Sequence, residues 1–300
     1  MMHKPALLIA SAMVALALIS SPAVAAPDWN TIGQALGKIG TLTPSGVYRV
    51  GLPRSDLNVV LDGITLKPTF ALGSWVAFMP MGDKVMVMGD LVLTEGEVGP
   101  VMKKLEEEHI DISALHNHLF HASPATFYMH IYAEGNGVAI AKSVHSALSL
   151  SKTPFASPPA PNPVPAIDLD TAAIEKGLDA RGGVAGGVYQ LAIAHREPVK
   201  DHGMVLPTAI GASEAINFQP LGGGKAAITG DFMLTAAEVN PVLRALRENG
   251  IEVTALHNHM LDDEPRLFFM HFWAHDDLSK LLTGLHAALG QIAVQRSTAK

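Results

Sequence analysis

The hydrophobic and polar positions of this chain switch between two periods. Alternating, strand-like patterns occupy 85–93, 110–120 and 126–134, while helical spacing of apolar residues occupies 101–108 and 138–150. Along the chain, the order of these segments is strand, helix, strand, strand, helix. Strands and helices segregated in this way are typical of an α+β fold. The pattern therefore predicts a β-α-β-β-α unit with its helices on one face of an antiparallel sheet.

The second half of the chain repeats the first at a constant offset. The sequence Ala-Leu-His-Asn-His at 114–118 recurs at 255–259. Further identical segments at the same offset are Gly46-Val47-Tyr48 with Gly187-Val188-Tyr189, Gly89-Asp90 with Gly230-Asp231, and Met129-His130 with Met270-His271. Self-similarity at one fixed offset indicates repeated structural units. The sequence thus predicts a tandem duplication in which each half forms the same α+β unit.

Proline marks the predicted join between the repeats. The segment 151–167 is rich in proline and lacks an apolar period, which is typical of an extended, fairly stiff linker. It separates a first repeat, predicted at 26–150, from a second repeat, predicted at 168–300. Each repeat is large enough to bury a core of its own.

The N-terminal segment 1–25 has the features of a secretory signal peptide. Lys4 belongs to a short basic start, an apolar run follows, and Ala-Val-Ala at 23–25 forms a small-residue cleavage site. The alternative is a membrane anchor, for which the apolar run is short. No later segment has the ~18 uncharged apolar residues of a membrane helix. We therefore expect a protein without a membrane span, periplasmic or secreted, after cleavage between Ala25 and Ala26.

Composition removes several classes of function. The formal net charge of the 300 residues is -7, whereas a nucleic-acid partner requires clustered Lys and Arg. The chain has no cysteine, which excludes disulfides, thiolate catalysis and cysteine-bound zinc or iron–sulfur sites. Its 14 histidines are numerous for a chain with only 16% charged residues. Histidine is therefore where we expect chemistry.

The repeated histidines are predicted to converge on one face of a β-hairpin. His116 and His118 share a strand face because side chains at i and i+2 point the same way. If the hairpin folds symmetrically about Pro124, His118 lies opposite His130 with Cβ atoms ~5 Å apart. The second half carries the three matching positions and one further histidine of the same parity: His257, His259, His271 and His275.

Three imidazoles on neighbouring strands are a common ligand set for Zn²⁺, Cu²⁺ or Fe²⁺. The sequence therefore predicts an exported protein that binds a divalent metal through strand-borne histidines, in one shared site or in two. A bound metal lowers the pKa of its water toward ~7, so a metal-dependent hydrolase is compatible with such a site. Glu134 and Asp231 are then candidate catalytic bases, and Asp90 and Asp231 are candidate further ligands or acids that orient histidine.

Two other interpretations of the histidine face stand beside metal binding. Aromatic residues share this face, namely Tyr128, Tyr132, Phe269 and Trp273. Aromatic rings with polar neighbours line ligand pockets, so the protein could be a non-catalytic module that binds a glycan or another small envelope ligand. The third interpretation is structural, with histidines and aromatics forming a hydrogen-bonded core between the halves.

Taken together, the motifs resemble a known family. Gly-Ser-Trp at 73–75, Val-Met-Gly-Asp-Leu at 87–91, the two Ala-Leu-His-Asn-His motifs and the Met-His pairs are similar to the LppY/LpqO family, exported bacterial proteins with a domain of unknown function. The resemblance covers both repeats and implies no activity. The chain departs from the family's lipoproteins because it lacks a cysteine to carry lipid. Relatives have a further histidine shortly after the Met-His pair. At one of these positions the first half has Glu134 and the second half has His275. We therefore expect the second half to bind metal more tightly.

Overall fold

The computed structural model of the protein describes residues 26–156 and 166–295. The predicted signal peptide at 1–25 lies outside the described residues, as does part of the proline-rich segment 151–167. The predicted cleavage site and linker therefore stay predictions. Within the described residues, no helix is both long and apolar enough to cross a membrane.

The first half contains three helices and eight strands. In chain order they are α1 (Trp29–Leu36), β1 (Thr41–Leu42), β2 (Tyr48–Pro53), β3 (Val60–Leu61), β4 (Ile64–Thr65), β5 (Gly73–Met81), β6 (Lys84–Thr94), α2 (Glu95–Glu107), β7 (Asp111–His116), β8 (Thr126–Gly135) and α3 (Gly137–Leu148). The last five elements form the predicted β-α-β-β-α unit.

The second half repeats this order. Its elements are α4 (Thr171–Leu178), β9 (Gly182–Ala185), β10 (Val188–Ile193), β11 (Lys200–Asp201), β12 (Met204–Val205), a 3₁₀ turn (Thr208–Ile210), β13 (Glu214–Gly222), β14 (Lys225–Thr235), α5 (Ala236–Glu248), β15 (Glu252–His257), β16 (Asp263–Glu264), β17 (Leu267–Asp277) and α6 (Leu278–Leu289). The predicted tandem duplication of an α+β unit is confirmed.

Each half is built on one six-stranded antiparallel sheet. The strand orders are β1-β2-β5-β6-β8-β7 and, matching it, β9-β10-β13-β14-β17-β15. One face of each sheet carries the helices. In the first half, alternate residues of β6 such as Val87 and Leu91 pack against Val101 of α2 and Val144 of α3. This period of two follows from the strand geometry, and it leaves the other face free for the histidines.

The helix that follows the central strand begins at a capping box in both halves. In the first half, Thr94 and Glu97 satisfy each other's backbone N–H groups, as the Thr-x-x-Glu spacing favours. The helix then runs without a break through Pro100 to Glu107. The carboxylate of Glu97 also accepts from Arg54, at 2.8 Å, so the start of α2 is fixed to the loop after β2.

The histidine-bearing faces of the two sheets lie against each other. Each half sends the loop between its second and third main-sheet strands over the other half. Phe70 of the first loop packs against Trp273, while Leu206 and Ile210 of the second loop pack in a cluster with Met88. The exchange of loops joins the halves through two apolar clusters and encloses the histidines between them.

The predicted symmetric register of the hairpin is wrong. Strand β7 pairs with β8 so that Ala114, and not His118, lies opposite His130. Strand β7 ends at His116, and His118 follows in the connection to β8. A bulge at Ser113 accompanies this pairing. The histidines nevertheless keep a common face, because a shift by an even number of residues leaves side-chain direction unchanged.

Candidate metal centre between the two halves

Six histidine rings interleave where the two sheets meet. Each ring of one half stacks on a ring of the other, with centroid distances of 3.5 Å for His116 and His257, 3.7 Å for His118 and His271, and 3.8 Å for His130 and His259. The duplication relates these contacts. The counterparts of His118 and His271 are His259 and His130, so the second and third pairs are equivalent. The two predicted histidine sets therefore form one cluster, which we call the histidine cluster.

Hydrogen bonds between the halves hold the histidine cluster together from below. The bulge residue Ser113 donates its hydroxyl to the carbonyl of His259, and its counterpart Thr254 donates to the carbonyl of His118. The side-chain amide of Asn258 donates to the carbonyl of Ser113 at 2.8 Å. The strand bulge thus turns a polar side chain toward the other half, where it fixes the backbone that carries a histidine.

Three of the six imidazoles are oriented for binding through Nε2. Nδ1 of His116 and of His257 lies 3.1 and 3.0 Å from the carbonyl oxygen of the following asparagine. Nδ1 of His271 lies 2.9 Å from the carbonyl of Gly230. A carbonyl only accepts, so Nδ1 carries the hydrogen and Nε2 keeps its lone pair. Metal-binding histidines are oriented by the same kind of contact.

All six Nε2 atoms of the histidine cluster are buried. Within the part of the chain that the structure describes, none of them has a hydrogen-bond partner: His116, His118, His130, His257, His259 and His271. A buried polar atom without a partner costs about 1–3 kcal/mol, so six in one place require an explanation. Lone pairs that converge without protein donors are what a metal cation would satisfy, and the donor set therefore fits the predicted metal.

Four histidines of the cluster come close enough to share one ion. The ligand nitrogens of His116, His257, His259 and His271 all lie within 4.8 Å of one another. Three of these residues belong to the second half and one to the first. Four nitrogen ligands suit a borderline metal such as Zn²⁺ or Cu²⁺.

Two aspartates flank the histidine cluster from the central strands. Asp231 is the Cα partner of His271 across β14 and β17, and its carboxylate oxygens lie 3.1 Å from His259 Nε2 and 3.8 Å from His271 Nε2. In the first half, Asp90 lies 3.9 Å from His118 Nε2. Asp231, a predicted ligand and base, thus lies closer to the histidine Nε2 atoms than its counterpart Asp90 does.

Burial keeps the histidine cluster neutral. Desolvation, together with the neighbouring His257, lowers the pKa of His116 to about 4. Desolvation likewise lowers the pKa well below its ordinary value for His118, His130, His259 and His271. Neutral imidazole is the form that binds metals, so the cluster presents its ligands at neutral pH without having to lose protons.

A cleft of about 420 Å³ opens beside the histidine cluster. Four histidines of the cluster line it together with both aspartates: His118, His130, His259 and His271. Arg49 of β2 and Asn217 of β13 are among the residues that line the remainder, one on each half. Small-molecule sites are clefts of roughly 300–1,000 Å³, so this cleft is of a size to bring a small ligand to the cluster.

Two predicted site residues lie outside the histidine cluster. His275 shares the strand face of His271 but is four residues away, roughly 13 Å along a strand. Its side chain is 46% exposed, and its Nε2 is 4.0 Å from a carboxylate oxygen of Asp62. Glu134 is exposed at the end of β8 and accepts a hydrogen bond from Tyr132. The structure therefore does not bring the predicted fourth histidine, or this candidate base, to the site.

The aromatic residues of the predicted glycan site are buried: Tyr128, Tyr132, Phe269 and Trp273. Tyr128 stacks on His118 with ring centroids 3.2 Å apart. Phe269 stacks on His259 at 3.5 Å. The rings of Tyr128 and Phe269 thus support the histidine cluster, and burial leaves the four aromatic residues little exposed face for a sugar.

Sequence reasoning missed Arg49 and Trp75, which line the cleft. A weak signal was present in the repeat itself. The matched Gly-Val-Tyr segments are followed by Arg49 in the first half and by Gln190 in the second. A change of charge directly after an identical segment marks a place where the halves have diverged.

The family described as Domain of Unknown Function (DUF1259) matches the chain twice, at residues 30–150 and 172–291. The chain belongs to this family. The two matches fall on the two structural halves, so each half of this DUF1259 protein is one copy of the domain. The family description names no activity, and the function must be argued from the site.

No curated protein sequence matches this DUF1259 chain. Two solved structures are similar to a small degree. One is a trimeric bacterial microcompartment shell protein, PduB, with 8% identity, a TM-score of 0.21 and coverage of 85% of this chain and 95% of that chain. The other is EtuB from Clostridium kluyveri, with 9% identity, a TM-score of 0.20 and coverage of 84% and 89%. Likeness of this degree carries no argument about function.

Proposed function

We propose that this DUF1259 protein binds one divalent transition-metal ion at the histidine cluster, with ligands from both halves. The observation that carries the proposal is the set of six buried Nε2 atoms without partners. Four of these six histidines, His116, His257, His259 and His271, also have ligand nitrogens within 4.8 Å of one another. A structural core would pair such atoms with donors, whereas a metal site leaves their lone pairs free.

A single shared centre is favoured over one site in each half. His116 stacks directly on His257, so the first position of each set lies on the pseudo-two-fold axis that relates the halves. An ion placed there takes ligands from both halves, one histidine from the first half and three from the second.

The finer proposal is hydrolysis at this centre. The predicted signal peptide and the LppY/LpqO resemblance imply, separately, that the protein is exported. A bound divalent ion would supply a water of lowered pKa. Asp231 is the carboxylate of the chain placed to hold or accept a proton there, 3.1 Å from His259 Nε2. The cleft beside the cluster gives a small substrate access to that position.

Metal analysis tests the proposal. The protein, expressed without a His-tag and stripped with chelator, is loaded in turn with Zn²⁺, Cu²⁺ and Fe²⁺, desalted and measured for metal per chain. We expect about one ion per chain for at least one metal. The control is His109→Asn, which removes an exposed histidine outside the cluster at a positive φ that asparagine tolerates.

Less than about 0.3 ion per chain for all three metals would overturn the proposal. So would equal loss of metal in His109→Asn and His257→Ala, because binding would then reside on surface histidines. Circular dichroism of the metal-free variants shows whether each remains folded. For the finer proposal, a panel of ester, amide and phosphoester substrates with the loaded protein gives the result, and loss of any activity in Asp231→Asn is expected.

A further inference from the structure

The cleft beside the histidine cluster contains a cation that the metal proposal does not use. Among the described residues that line the cleft, Arg49 is the one positively charged side chain. It extends from β2, whose neighbour β5 carries Trp75. The guanidinium carbon lies 3.9 Å from the centroid of the Trp75 ring, so the aromatic face holds it in place.

Arg49 has donors to spare. Its Nη1 donates to the carbonyl of Ala209 at 2.7 Å. Within the described residues, no carboxylate lies within 4.0 Å of its guanidinium, in contrast to Arg54, which pairs with Asp56 and Glu97. A guanidinium has five N–H donors in a planar fork, so most of those of Arg49 remain available to a ligand.

The charge of Arg49 is retained inside the cleft. Burial lowers its pKa to about 10, which leaves it protonated at neutral pH. A half-buried cation without a paired carboxylate attracts an anion more strongly than an exposed one would.

The position of Arg49 relates it to the histidine cluster. Trp75 pairs across the sheet with Asp90, and Asp90 pairs with His130. Trp75 and His130 are thus two strands apart, roughly 10 Å. The far side of a small molecule bound at Arg49 therefore comes close to the histidines that line the cleft.

Among the described residues, the second-half wall of the cleft carries no positive charge, and its one carboxylate is that of Asp231. Gln190 occupies the strand position of Arg49 in the second half, and its amide donates to Thr69 at 2.8 Å and to Asn217 at 3.0 Å. Ala215 replaces the ring of Trp75 there. An anionic group is therefore recognised on one wall alone, which fixes the direction in which a ligand binds.

We propose that the cleft binds a small organic anion, a carboxylate or a phosphate ester, through the free N–H groups of Arg49. The anionic group pairs with the guanidinium fork, and the remainder of the molecule points toward the histidine cluster. This inference goes beyond the proposed metal binding and does not require it, because Arg49 carries its charge with or without an ion at the histidines.

Calorimetric titration of the metal-free full chain tests the inference. The probes are benzoate and phenyl phosphate, with benzyl alcohol as a neutral control of similar size. We expect saturable binding of at least one anion at one site per chain, and none of the alcohol. The better of the two probes identifies the anionic group that the cleft prefers.

Four variants locate the site. Arg49→Gln should weaken anion binding by roughly 10- to 100-fold, as loss of hydrogen bonds to a charged group does. Arg49→Lys should fall between, because lysine keeps the charge without the fork. Asn217→Asp adds a carboxylate to the opposite wall and should also weaken binding. Lys103→Gln removes a cation that is 79% exposed on α2, outside the cleft, and should have no effect.

Failure of the wild-type protein to bind either anion would overturn the inference. Unchanged binding in a folded Arg49→Gln would do the same, and Asn217→Asp gives the answer if Arg49→Gln does not fold. Metal loading of Arg49→Gln separates the two proposals. If the Arg49→Gln variant holds metal like the wild type but loses the anion, both proposals stand. If the wild type binds the anion through Arg49 but binds no metal, only the metal proposal fails.

Discussion

On the first-half wall of the cleft, a charged side chain lies on a large aromatic ring, Arg49 over Trp75. At the same strand positions the second half has Gln190 and Ala215, neither of them charged or aromatic. The histidines show the opposite behaviour. All three positions of the cluster, and the aspartate beside them, are identical in the two halves.

The difference follows from where each group lies relative to the pseudo-two-fold axis. A group at the axis meets its own counterpart, as at an isologous interface, and His116 and His257 meet there in this way. A ligand in the cleft lies beside the axis and touches two unlike walls. The identical residues are therefore those expected at a shared centre, and the diverged residues are those expected to choose a ligand.

The largest difference in stability between the halves is expected at matched ion pairs under the sheets. Arg54 is fully buried and pairs with Glu97 and Asp56, whereas its counterpart His195 approaches only Glu238, at 3.5 Å. Arg54→Ala leaves the buried carboxylate of Glu97 without its charged partner and should cost about 3–5 kcal/mol. His195→Ala should cost about 1–2 kcal/mol. Urea unfolding followed by circular dichroism measures both, and equal costs would contradict the comparison.

A second difference is a buried carboxylate present in one half alone. Glu214 accepts from the backbone N–H of Met233 at 2.7 Å through one oxygen, while the other oxygen has no partner among the described residues. Its counterpart Ser74 accepts from Val92 without adding charge. Burial raises the pKa of Glu214 well above its ordinary value. The charged form of Glu214 therefore destabilises the folded state at high pH. The effect disappears below the pKa that Glu214 has in the unfolded chain.

Replacement of that carboxylate should show this pH dependence. Glu214→Gln removes the charge and keeps the shape, so we expect the free energy of unfolding to rise by about 1–3 kcal/mol at pH 8. At pH 3, where Glu214 is mostly protonated in both states, the variant and the wild type should be nearly equally stable. Denaturation at the two pH values measures the effect, and a gain of the same size at both would show that burial of charge is not its cause.

The third difference concerns metal affinity. His259 belongs to the four histidines that come within 4.8 Å, and its counterpart His118 does not. His259→Ala should weaken Zn²⁺ or Cu²⁺ binding by at least about 10-fold, since even loss of residues that only orient ligands has effects of that size. His118→Ala should weaken it less. Competition with a chelator of known affinity measures both, and equal losses would indicate that all six rings act alike.

The smallest difference lies in the asparagines below the cluster. Asn258 donates to Ser113 at 2.8 Å and to Met260 at 3.2 Å, whereas Asn117 reaches Thr254 at 3.4 Å. Asn258→Ala should reduce the free energy of unfolding by about 1 kcal/mol, and Asn117→Ala by roughly half as much. Thermal unfolding of the metal-free proteins compares them. A larger loss in Asn117→Ala would contradict the geometry.

The sequence predicts those parts of the fold that depend on local periods and on the repeat. The alternation of residues in β6 to β8 places His116 and His130 on one face, and the duplication supplies the second set. The register depends on the bulge at Ser113, whose hydroxyl bonds to a carbonyl of the other half, and no local pattern reports that contact.

The site needs information that no single segment contains. His116 meets His257 only because the two sheets pack face to face, which depends on loops that cross between the halves. Parity alone placed His275 with His271, although four residues of strand separate them. Arg49 belongs to no motif, and it matters because of the cleft that the two halves form together.

Stoichiometry in single-histidine variants tests the shared centre most directly. His116→Ala removes a ligand contributed by the first half, and His257→Ala removes its stacking partner in the second. The metal content of both is measured beside the wild type after loading with the metal that the wild type retains, with circular dichroism to confirm folding. One shared centre predicts about one ion in the wild type and less than about 0.3 in each folded variant. Two ions in the wild type, with one left in each variant, would contradict it.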